Sequence, residues 1–179
     1  EFGKLAPCQC RLREQESKRL TDLRTISNMD KMVRFTFDKF VPEGYGLTDE
    51  RRRNLRMAYD LAYNFANNPE GWLILLGGYG CGKTHLAAAI ANHVINQNKP
   101  ALFVVVPDLL DHLRAAFGPN SATTYDQRFE EIRTASLLIL DDLGAQSATP
   151  WAQEKLFQLF NYRYNAQLPT VVTSNHELE

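Results

Sequence analysis

The sequence predicts an α/β fold in which a parallel sheet lies between two layers of helices. Short apolar runs, such as residues 72 to 76 and 137 to 140, have the length and composition of buried strands. Longer segments between such runs, including residues 83 to 96, carry apolar side chains at helical spacing. Strands that alternate with helices along a chain form parallel β/α units with helices on both faces of the sheet.

The predicted elements follow one another in a regular order. A moderately amphipathic, basic helix over about residues 11 to 30 comes first, and a helix capped by Thr48 or Asp49 runs to about residue 67. Thr149 and Pro150 are typical of the cap and first turn of a later helix. The remaining predicted strands cover residues 101 to 106 and 169 to 173, and the remaining helices cover residues 108 to 117 and 124 to 134.

Composition narrows the class of protein. The chain has 179 residues, 44% of them hydrophobic and 23% charged, with a formal net charge of −1. Global charge therefore gives no argument for nucleic-acid binding, and any basic surface must be local. Three cysteines are too few for a disulfide framework, no apolar run approaches a membrane helix, and no secretory signal opens the chain. We expect a cytoplasmic protein without a membrane span.

A glycine-rich loop lies between a predicted strand and a predicted helix. Residues 77 to 84 read GGYGCGKT, which is the G-x-x-x-x-G-K-[ST] spacing of a phosphate-binding P-loop. Glycines let successive N–H groups wrap phosphate oxygens, and the helix dipole points at the same oxygens. We expect Lys83 to neutralise the β- and γ-phosphates and Thr84 to bind Mg²⁺. The predicted nucleotide contacts here are Gly78, Tyr79, Gly80, Cys81, Gly82, Lys83, Thr84 and His85.

Two carboxylates, Asp141 and Asp142, end the apolar strand that follows. Ligands bind at the carboxyl ends of strands in open α/β sheets, so this Walker B pattern is expected beside the phosphates. Asp141 is predicted to hold Mg²⁺, and Asp142 to orient and polarise the attacking water. Asn175 follows the fourth strand and is expected to hold that water or sense the γ-phosphate. Lys83, Asp142 and Asn175 are thus the candidate catalytic residues.

The separation of these motifs predicts part of the sheet order. An extra strand, residues 101 to 106, lies between the P-loop and the acidic pair in sequence. We therefore expect a strand inserted in space between the P-loop strand and the acidic strand, as in P-loop ATPases with an additional strand. ATP is favoured over GTP, because the nearest match to Asn-Lys-x-Asp, residues 98 to 101, lacks the aspartate.

Five motifs occur in a fixed order along the chain. They are FTFDKF at residues 35 to 40, the P-loop followed by His85 and Leu86, LDDLG at 140 to 144, NYRY at 161 to 164 and TSN at 173 to 175. As a set, these motifs resemble AAA+ helicase loaders of the DnaC/DnaI type, and IstB-type transposition helper ATPases share much of the pattern. The resemblance implies an AAA+ core over residues 35 to 179 behind an extension over residues 1 to 34. It implies an ATPase that forms homo-oligomers on ATP and DNA and delivers a hexameric replicative helicase onto single-stranded DNA.

The resemblance also implies roles for single residues. It makes Asn175 the sensor 1 residue, and it suggests that residues 35 to 40, including Phe40, line the adenine pocket with Val41. It further suggests DNA contacts from the helical insert between the second and third strands, where Arg114, Arg128, Arg133, Phe117 and Tyr125 are available.

The two ends of the chain depart from the resemblance. Cys8 and Cys10 look like the tail of the small zinc module of the DnaI branch, but zinc needs four ligands. We expect no zinc here and the rest of the module upstream of Glu1. An arginine finger and sensor 2 are expected after sensor 1, and the chain stops at Glu179. We therefore expect a truncated core that binds ATP or ADP but hydrolyses ATP poorly.

Other functions fit part of the pattern. A transposition helper would bind duplex DNA and a transposase, and the cysteine pair favours the loader over it. A P-loop kinase would need an arginine-rich lid, whereas residues 107 to 135 contain only three arginines. A nucleotide-binding module without catalysis is disfavoured by Asp141 and Asp142. The N-terminal basic helix could contact helicase, DNA or the ATPase core.

Overall fold

The computed structural model describes residues 27–116, 125–146 and 149–176. The predicted core helices and strands are confirmed, with boundaries that shift by a few residues. The elements are α1 (Met29–Met32), a 3₁₀ turn (Phe37–Lys39), α2 (Asp49–Asn67), β1 (Trp72–Leu76), α3 (Lys83–Asn96), β2 (Leu102–Val105), α4 (Val106–Ala115), α5 (Tyr125–Arg133), β3 (Leu138–Leu143), α6 (Pro150–Asn165) and β4 (Thr170–Ser174).

Several sequence expectations fall outside the described residues. The predicted basic helix over residues 11 to 30 lies there except for its last four positions. Cys8, Cys10 and Phe117 also lie outside. No helix among the residues that the structure describes is long and apolar enough to cross a membrane.

Local sequence explains where the long helices begin. The Thr48 hydroxyl accepts a hydrogen bond from the backbone N–H of Arg51, and Thr149 caps α6 in the same way. Pro150 occupies the first turn of α6, where a missing N–H costs nothing. Helix α4 starts at Val106, directly after β2 and earlier than predicted. Both predicted caps are confirmed.

The four strands form one parallel sheet in the order β1-β4-β3-β2. The prediction of a strand between the P-loop strand and the acidic strand is confirmed, and β4 is that strand. The strand over residues 102–105 lies at the far edge. This order puts the carboxyl ends of β1, β4 and β3 side by side.

Helices cover both faces of the sheet, which confirms the three-layer prediction. On one face, apolar residues of α4, α5 and α6 pack against β2, β3 and β4. On the other face, α2 and α3 pack against all four strands. The P-loop helix α3 supplies much of this second core, since Leu86 to Ala91 are all buried.

The segment that precedes α2, residues 28 to 35, is hydrogen-bonded to the edge strand β2 and to α3. Asn28 donates its backbone N–H to the carbonyl of Phe103 at 3.0 Å, and its side-chain oxygen accepts from Val105 N at 3.2 Å. The buried Asn92 of α3 donates to the carbonyls of Met32 at 2.9 Å and Phe35 at 2.7 Å. These contacts join the end of the predicted extension to the core.

A fully buried arginine ties together the opposite end of the sheet. Arg163 of α6 donates Nε–H to the Thr170 hydroxyl at 2.9 Å. Its Nη1 donates to the carbonyls of Arg133 at 2.9 Å and Ala135 at 2.8 Å, and its Nη2 to that of Pro169 at 2.7 Å. Burial lowers the pKa of Arg163 to about 10, so the side chain stays charged at neutral pH.

Candidate nucleotide site

The P-loop connects the end of β1 to the start of α3 through residues 77 to 82. Gly77, Gly80 and Gly82 have φ values of +146°, +73° and +97°, a region that favours glycine. A Cβ added to Gly82 would lie 2.9 Å from Cε2 of Phe40. Conformation and packing therefore both require glycine at this position.

Lys83 lies in the first turn of α3 and folds back over the loop. Its Nζ donates to the carbonyl of Gly77 at 2.7 Å and to that of Gly78 at 2.8 Å. A further contact reaches Sγ of Cys81 at 3.7 Å. The ammonium charge is thus held inside the loop, at the point where the sequence predicts phosphate binding.

Thr84 and Asp141 meet across the floor of the site. The Thr84 hydroxyl is 3.0 Å from Oδ1 and 3.1 Å from Oδ2 of Asp141, to which it donates. Asp141 is only 4% exposed. Burial raises the pKa of Asp141, and hydrogen bonds from Thr173 and Thr84 oppose that rise by stabilising the carboxylate.

Asp142 and Asn175 face each other at the ends of β3 and β4. The Asn175 amide donates to Oδ1 of Asp142 at 2.8 Å. Asp142 has φ +60°, which is uncommon for a residue other than glycine. The pairing of β3 with β4 shifts register between Leu140 and Leu143, and this irregularity surrounds the two carboxylates.

These side chains open onto one cavity of about 390 Å³. All candidate catalytic and metal-binding residues line it, together with two residues that sequence reasoning did not assign to the site, Val105 and Thr173. The ends of β2 and β4 could have indicated both, because the predicted site lies at the carboxyl ends of the strands. The lining comprises Tyr79, Gly80, Gly82, Lys83, Thr84, His85, Val105, Asp141, Asp142, Thr173 and Asn175.

The structure does not bring every candidate nucleotide contact to this cavity. Gly78 and Cys81 line a neighbouring, mainly apolar cavity of about 880 Å³ between α2, β1 and the P-loop, which shares Gly80 and Lys83 with the first. Phe40 packs against Gly82 and stacks on the ring of Tyr59 at 5.7 Å. Val41 is 40% exposed and lines neither cavity. The adenine pocket implied for Phe40 and Val41 stays a prediction.

His85 links the cavity to the segment that precedes α2. Its Nε2 lies 2.9 Å from the carbonyl oxygen of Thr36. Its ring lies edge-on to Phe35 and to Phe40, with 5.1 Å between centroids in each case. His85 thereby fixes the FTFDKF segment against the P-loop helix.

The oxygen atoms of Thr84 and Asp141 suit a magnesium ion whose other ligands are nucleotide phosphates and water. Thr84 and Asp141 offer a hydroxyl and a carboxylate, and Mg²⁺ is held in such sites by one or two carboxylates with phosphates and waters. Over the described ranges, no group of three or more His, Cys, Asp and Glu side chains could hold a metal. The hydroxyl of Thr84 and the carboxylate of Asp141 are the oxygen donors that fit Mg²⁺ bound together with phosphates.

Three candidate side chains of the helical insert, Arg114, Arg133 and Tyr125, are engaged within the protein, whereas the buried Nε of Arg128 has no hydrogen-bond partner among the described residues. Arg114 pairs with Asp111 at 3.2 Å, and Arg133 pairs with Glu130. Both guanidinium groups also lie over aromatic rings. Tyr125 stacks on a neighbouring ring of its own helix. A DNA contact through these residues would have to compete with these interactions, and it stays a prediction.

The geometry defines the class of this protein. A parallel α/β/α sandwich with a P-loop and an acidic pair at the carboxyl ends of its strands is a P-loop nucleotide-binding fold. Residues 11–179 match the model of the family described as IstB-like ATP binding protein. The chain belongs to this family.

Curated relatives include two named helicase loaders. The replicative helicase loader DnaI of Bacillus subtilis (strain 168) is 32% identical over 115 residues, which are 64% of this chain and 36% of the relative. The replicative helicase loader DnaC of Escherichia coli (strain K12) is 30% identical over 59% of this chain and 43% of the relative. The chain thus spans less than half the length of either relative.

Solved structures agree with this assignment. The crystal structure of DnaI is 29% identical, with a TM-score of 0.64 over 83% of this chain and 76% of that one. The DnaC helicase loader is 25% identical, with a TM-score of 0.64 over 83% of this chain and 81% of that one. AMPPCP-bound DnaA from Aquifex aeolicus, at 20% identity and TM-score 0.65 over 79% of this chain and 42% of that one, shares the fold. The resemblance to DnaC/DnaI-type AAA+ proteins is confirmed.

Proposed function

We propose that this chain is the ATP-binding and ATP-hydrolysing core of a protein that loads a hexameric replicative DNA helicase onto single-stranded DNA. The observation that supports ATP chemistry most directly is the meeting of P-loop, acidic pair and Asn175 at one cavity. The names of the curated relatives support the loader role and favour it over a transposition helper.

Binding of the triphosphate would begin with the loop and Lys83. The Lys83 ammonium now donates to the carbonyls of Gly77 and Gly78, and phosphate oxygens would compete for these donors. Backbone N–H groups at the start of α3 would contribute further donors and the positive end of the helix dipole. Thr84 and Asp141 would hold Mg²⁺, which when bound neutralises phosphate charge.

Hydrolysis would depend on Asp142 and Asn175. A carboxylate at the end of β3 can accept the hydrogen bond of a water and make it a better nucleophile. The 2.8 Å hydrogen bond from Asn175 orients that carboxylate. The same amide lies on the cavity wall and could respond to the γ-phosphate. These two residues would therefore connect the chemical step to the end of β4.

The proposed partners are a hexameric replicative helicase, single-stranded DNA and further copies of this chain. The helicase is inferred from the names of the relatives. Its hexameric state and the single-stranded DNA are inferred from the resemblance to DnaC/DnaI-type loaders, and the further copies from the AAA+ fold, since AAA+ proteins commonly act as assemblies. The arginines of the helical insert and the N-terminal basic segment are candidate contacts for these partners, and the nucleotide would control their assembly.

The nucleotide assignment is tested by replacing Lys83 with alanine. We expect ATP affinity to fall by about 100-fold or more, because hydrogen bonds to a charged group contribute about 1.5–3 kcal/mol each and about 1.4 kcal/mol is tenfold in affinity. A fluorescent ATP analogue titrated by anisotropy measures the affinity. Lys99→Ala is the matched control, since Lys99 is exposed after α3 and lines neither cavity. Equal affinities for Lys83→Ala and wild type would reject the site.

The loader role is tested separately with the full-length protein. Tagged protein is mixed with the cognate replicative helicase or with a transposase, with and without ATP, and the retained partner is quantified. We expect retention of the helicase. Retention of the transposase alone would reject the loader and favour the transposition helper.

A further inference from the structure

One buried hydroxyl contacts both acidic residues of the site. Thr173 of β4 donates to Oδ1 of Asp141 at 2.6 Å. The same hydroxyl oxygen accepts from the backbone N–H of Asp142 at 2.9 Å. Thr173 is 1% exposed, so bulk water cannot replace either hydrogen bond. Nothing in the P-loop or acidic motif itself predicts this arrangement.

The hydroxyl lies where the strand pairing becomes irregular. Strands β3 and β4 pair in register as far as Leu140, and the pairing resumes at Leu143 after a shift. Within this interval Asp142 has φ +60°, a conformation that is costly for a residue with a Cβ. A buried backbone N–H needs an acceptor, and the Thr173 hydroxyl provides it for Asp142.

We propose that Thr173 is a positioning residue for the Mg²⁺–nucleotide site. Its donated hydrogen bond fixes the Asp141 carboxylate beside Thr84, and its accepted hydrogen bond holds the backbone of Asp142 so that the carboxylate reaches Asn175. The inference rests on the proposed nucleotide function, because it assigns Thr173 a task within that site.

The chemistry restricts which residues can do this. A hydroxyl can donate to a carboxylate and accept from an N–H through the same oxygen atom. Serine preserves both interactions, whereas valine preserves the shape of threonine and removes both. In Thr173→Val, Asp141 would keep its hydrogen bond from Thr84 and lose the one that holds it toward β4. Partners that orient a metal ligand typically contribute about 10- to 100-fold in metal affinity.

The experiment measures binding of a fluorescent, non-hydrolysable ATP analogue in EDTA and across a Mg²⁺ titration. In wild type and Thr173→Ser, we expect Mg²⁺ to strengthen binding, with the two Mg²⁺ midpoints within about threefold of each other. In Thr173→Val, we expect the Mg²⁺ midpoint to rise by about 10- to 100-fold, while the affinity in EDTA stays close to that of wild type.

Thr170→Val is the matched control for a merely structural effect. Thr170 is a buried threonine of the same strand whose hydroxyl bonds to Arg163 and Leu168, away from the cavity. We expect it to lower the denaturation midpoint and leave the Mg²⁺ midpoint unchanged. A Mg²⁺ midpoint that moves equally in both valine variants would overturn the proposal, as would an unshifted midpoint in Thr173→Val.

A double-mutant cycle with Asp141→Ala tests whether Thr173 acts through the carboxylate. We expect Thr173→Ser and Thr173→Val to have equal Mg²⁺ midpoints once Asp141 is replaced. If Thr173→Val does not fold, a folded Thr173→Ser whose Mg²⁺ midpoint has risen tenfold refutes the hydroxyl assignment, and one that matches wild type supports it. Wild-type protein that binds no nucleotide would instead overturn the proposed function, and this inference with it.

Discussion

Replacement of Arg163 by methionine should destabilise the fold strongly, although Arg163 lies far from the nucleotide site. Methionine replaces the apolar stem of arginine but is shorter and has no donors. The change removes a buried cation that holds Ala135, in the segment leading into β3, and the start of β4, at Pro169 and Thr170. It therefore loosens the end of the sheet opposite the P-loop.

The expected magnitude follows from the hydrogen bonds that are lost. Arg163 makes one hydrogen bond to a hydroxyl and three to backbone carbonyls, at 2.7–2.9 Å. At about 1.5–3 kcal/mol for each hydrogen bond to a charged group, their loss costs about 6–12 kcal/mol. Removal of the desolvated guanidinium, whose pKa burial lowers to about 10, offsets a large part of this cost. We expect a net loss of about 3–5 kcal/mol, a large part of the about 5–15 kcal/mol that stabilises a typical domain.

Urea denaturation followed by tryptophan fluorescence measures this loss. Arg56→Met is the matched control, because Arg56 is 54% exposed and pairs with Glu43 and Asp60 on the surface. Exposed ion pairs contribute about 0–1 kcal/mol, so the control should change the free energy of unfolding by less than about 1 kcal/mol. Equal losses for the two variants would refute the reasoning that burial makes the Arg163 contacts decisive.

Two further substitutions test the site itself. Asp141→Asn should raise the free energy of unfolding of the nucleotide-free protein at neutral pH, because burial raises the pKa of Asp141 and disfavours its charged form. Wild type should lose stability relative to this variant as pH rises through the folded-state pKa of Asp141. Urea denaturation at several pH values measures this, and a difference in the free energy of unfolding that does not change with pH would contradict it. Gly82→Ala should lower the thermal denaturation midpoint, at a cost on the order of 1–3 kcal/mol, because φ is +97° and the new Cβ would lie 2.9 Å from Phe40. Gly78→Ala, which meets nothing within 4 Å, is its control, and equal midpoints for the two would contradict the strain argument.

The parts of the fold that sequence predicted best depend on local patterns. The strand–loop–helix around the P-loop follows from an apolar run, a fixed glycine spacing and a helical stripe, all within residues 72 to 96. The helix caps at Thr48 and Thr149 follow from hydroxyl groups that satisfy orphan N–H groups. The sheet order was partly predicted from the separation of the P-loop and the acidic pair, but the sequence did not identify β4 as the inserted strand.

Other parts depend on contacts between distant segments, which the sequence pattern does not encode. The packing of Phe40 against Gly82 joins residues from two elements, and it leaves Phe40 outside the cavity that the P-loop lines. In the sequence, Thr173 is only the first residue of the TSN motif. Its hydrogen bonds to Asp141 and Asp142 form where the β3–β4 pairing shifts register, and the sequence does not show that shift.

The ends of β3 and β4 are joined by side chains where the regular backbone ladder shifts. The pairs are Asp141 with Thr173, Asp142 with Thr173 and Asn175, Leu143 with Ser174, and Gly144 with His176. A displacement of Asn175 by a phosphate would therefore act on Asp142 directly, and on Asp141 through Thr173. Because the proposed metal ligand, base and sensor share one hydrogen-bonded network, the effects of their substitutions should not add. A site connected in this way is well suited to transmit the state of the nucleotide to β4 and to the chain that follows it.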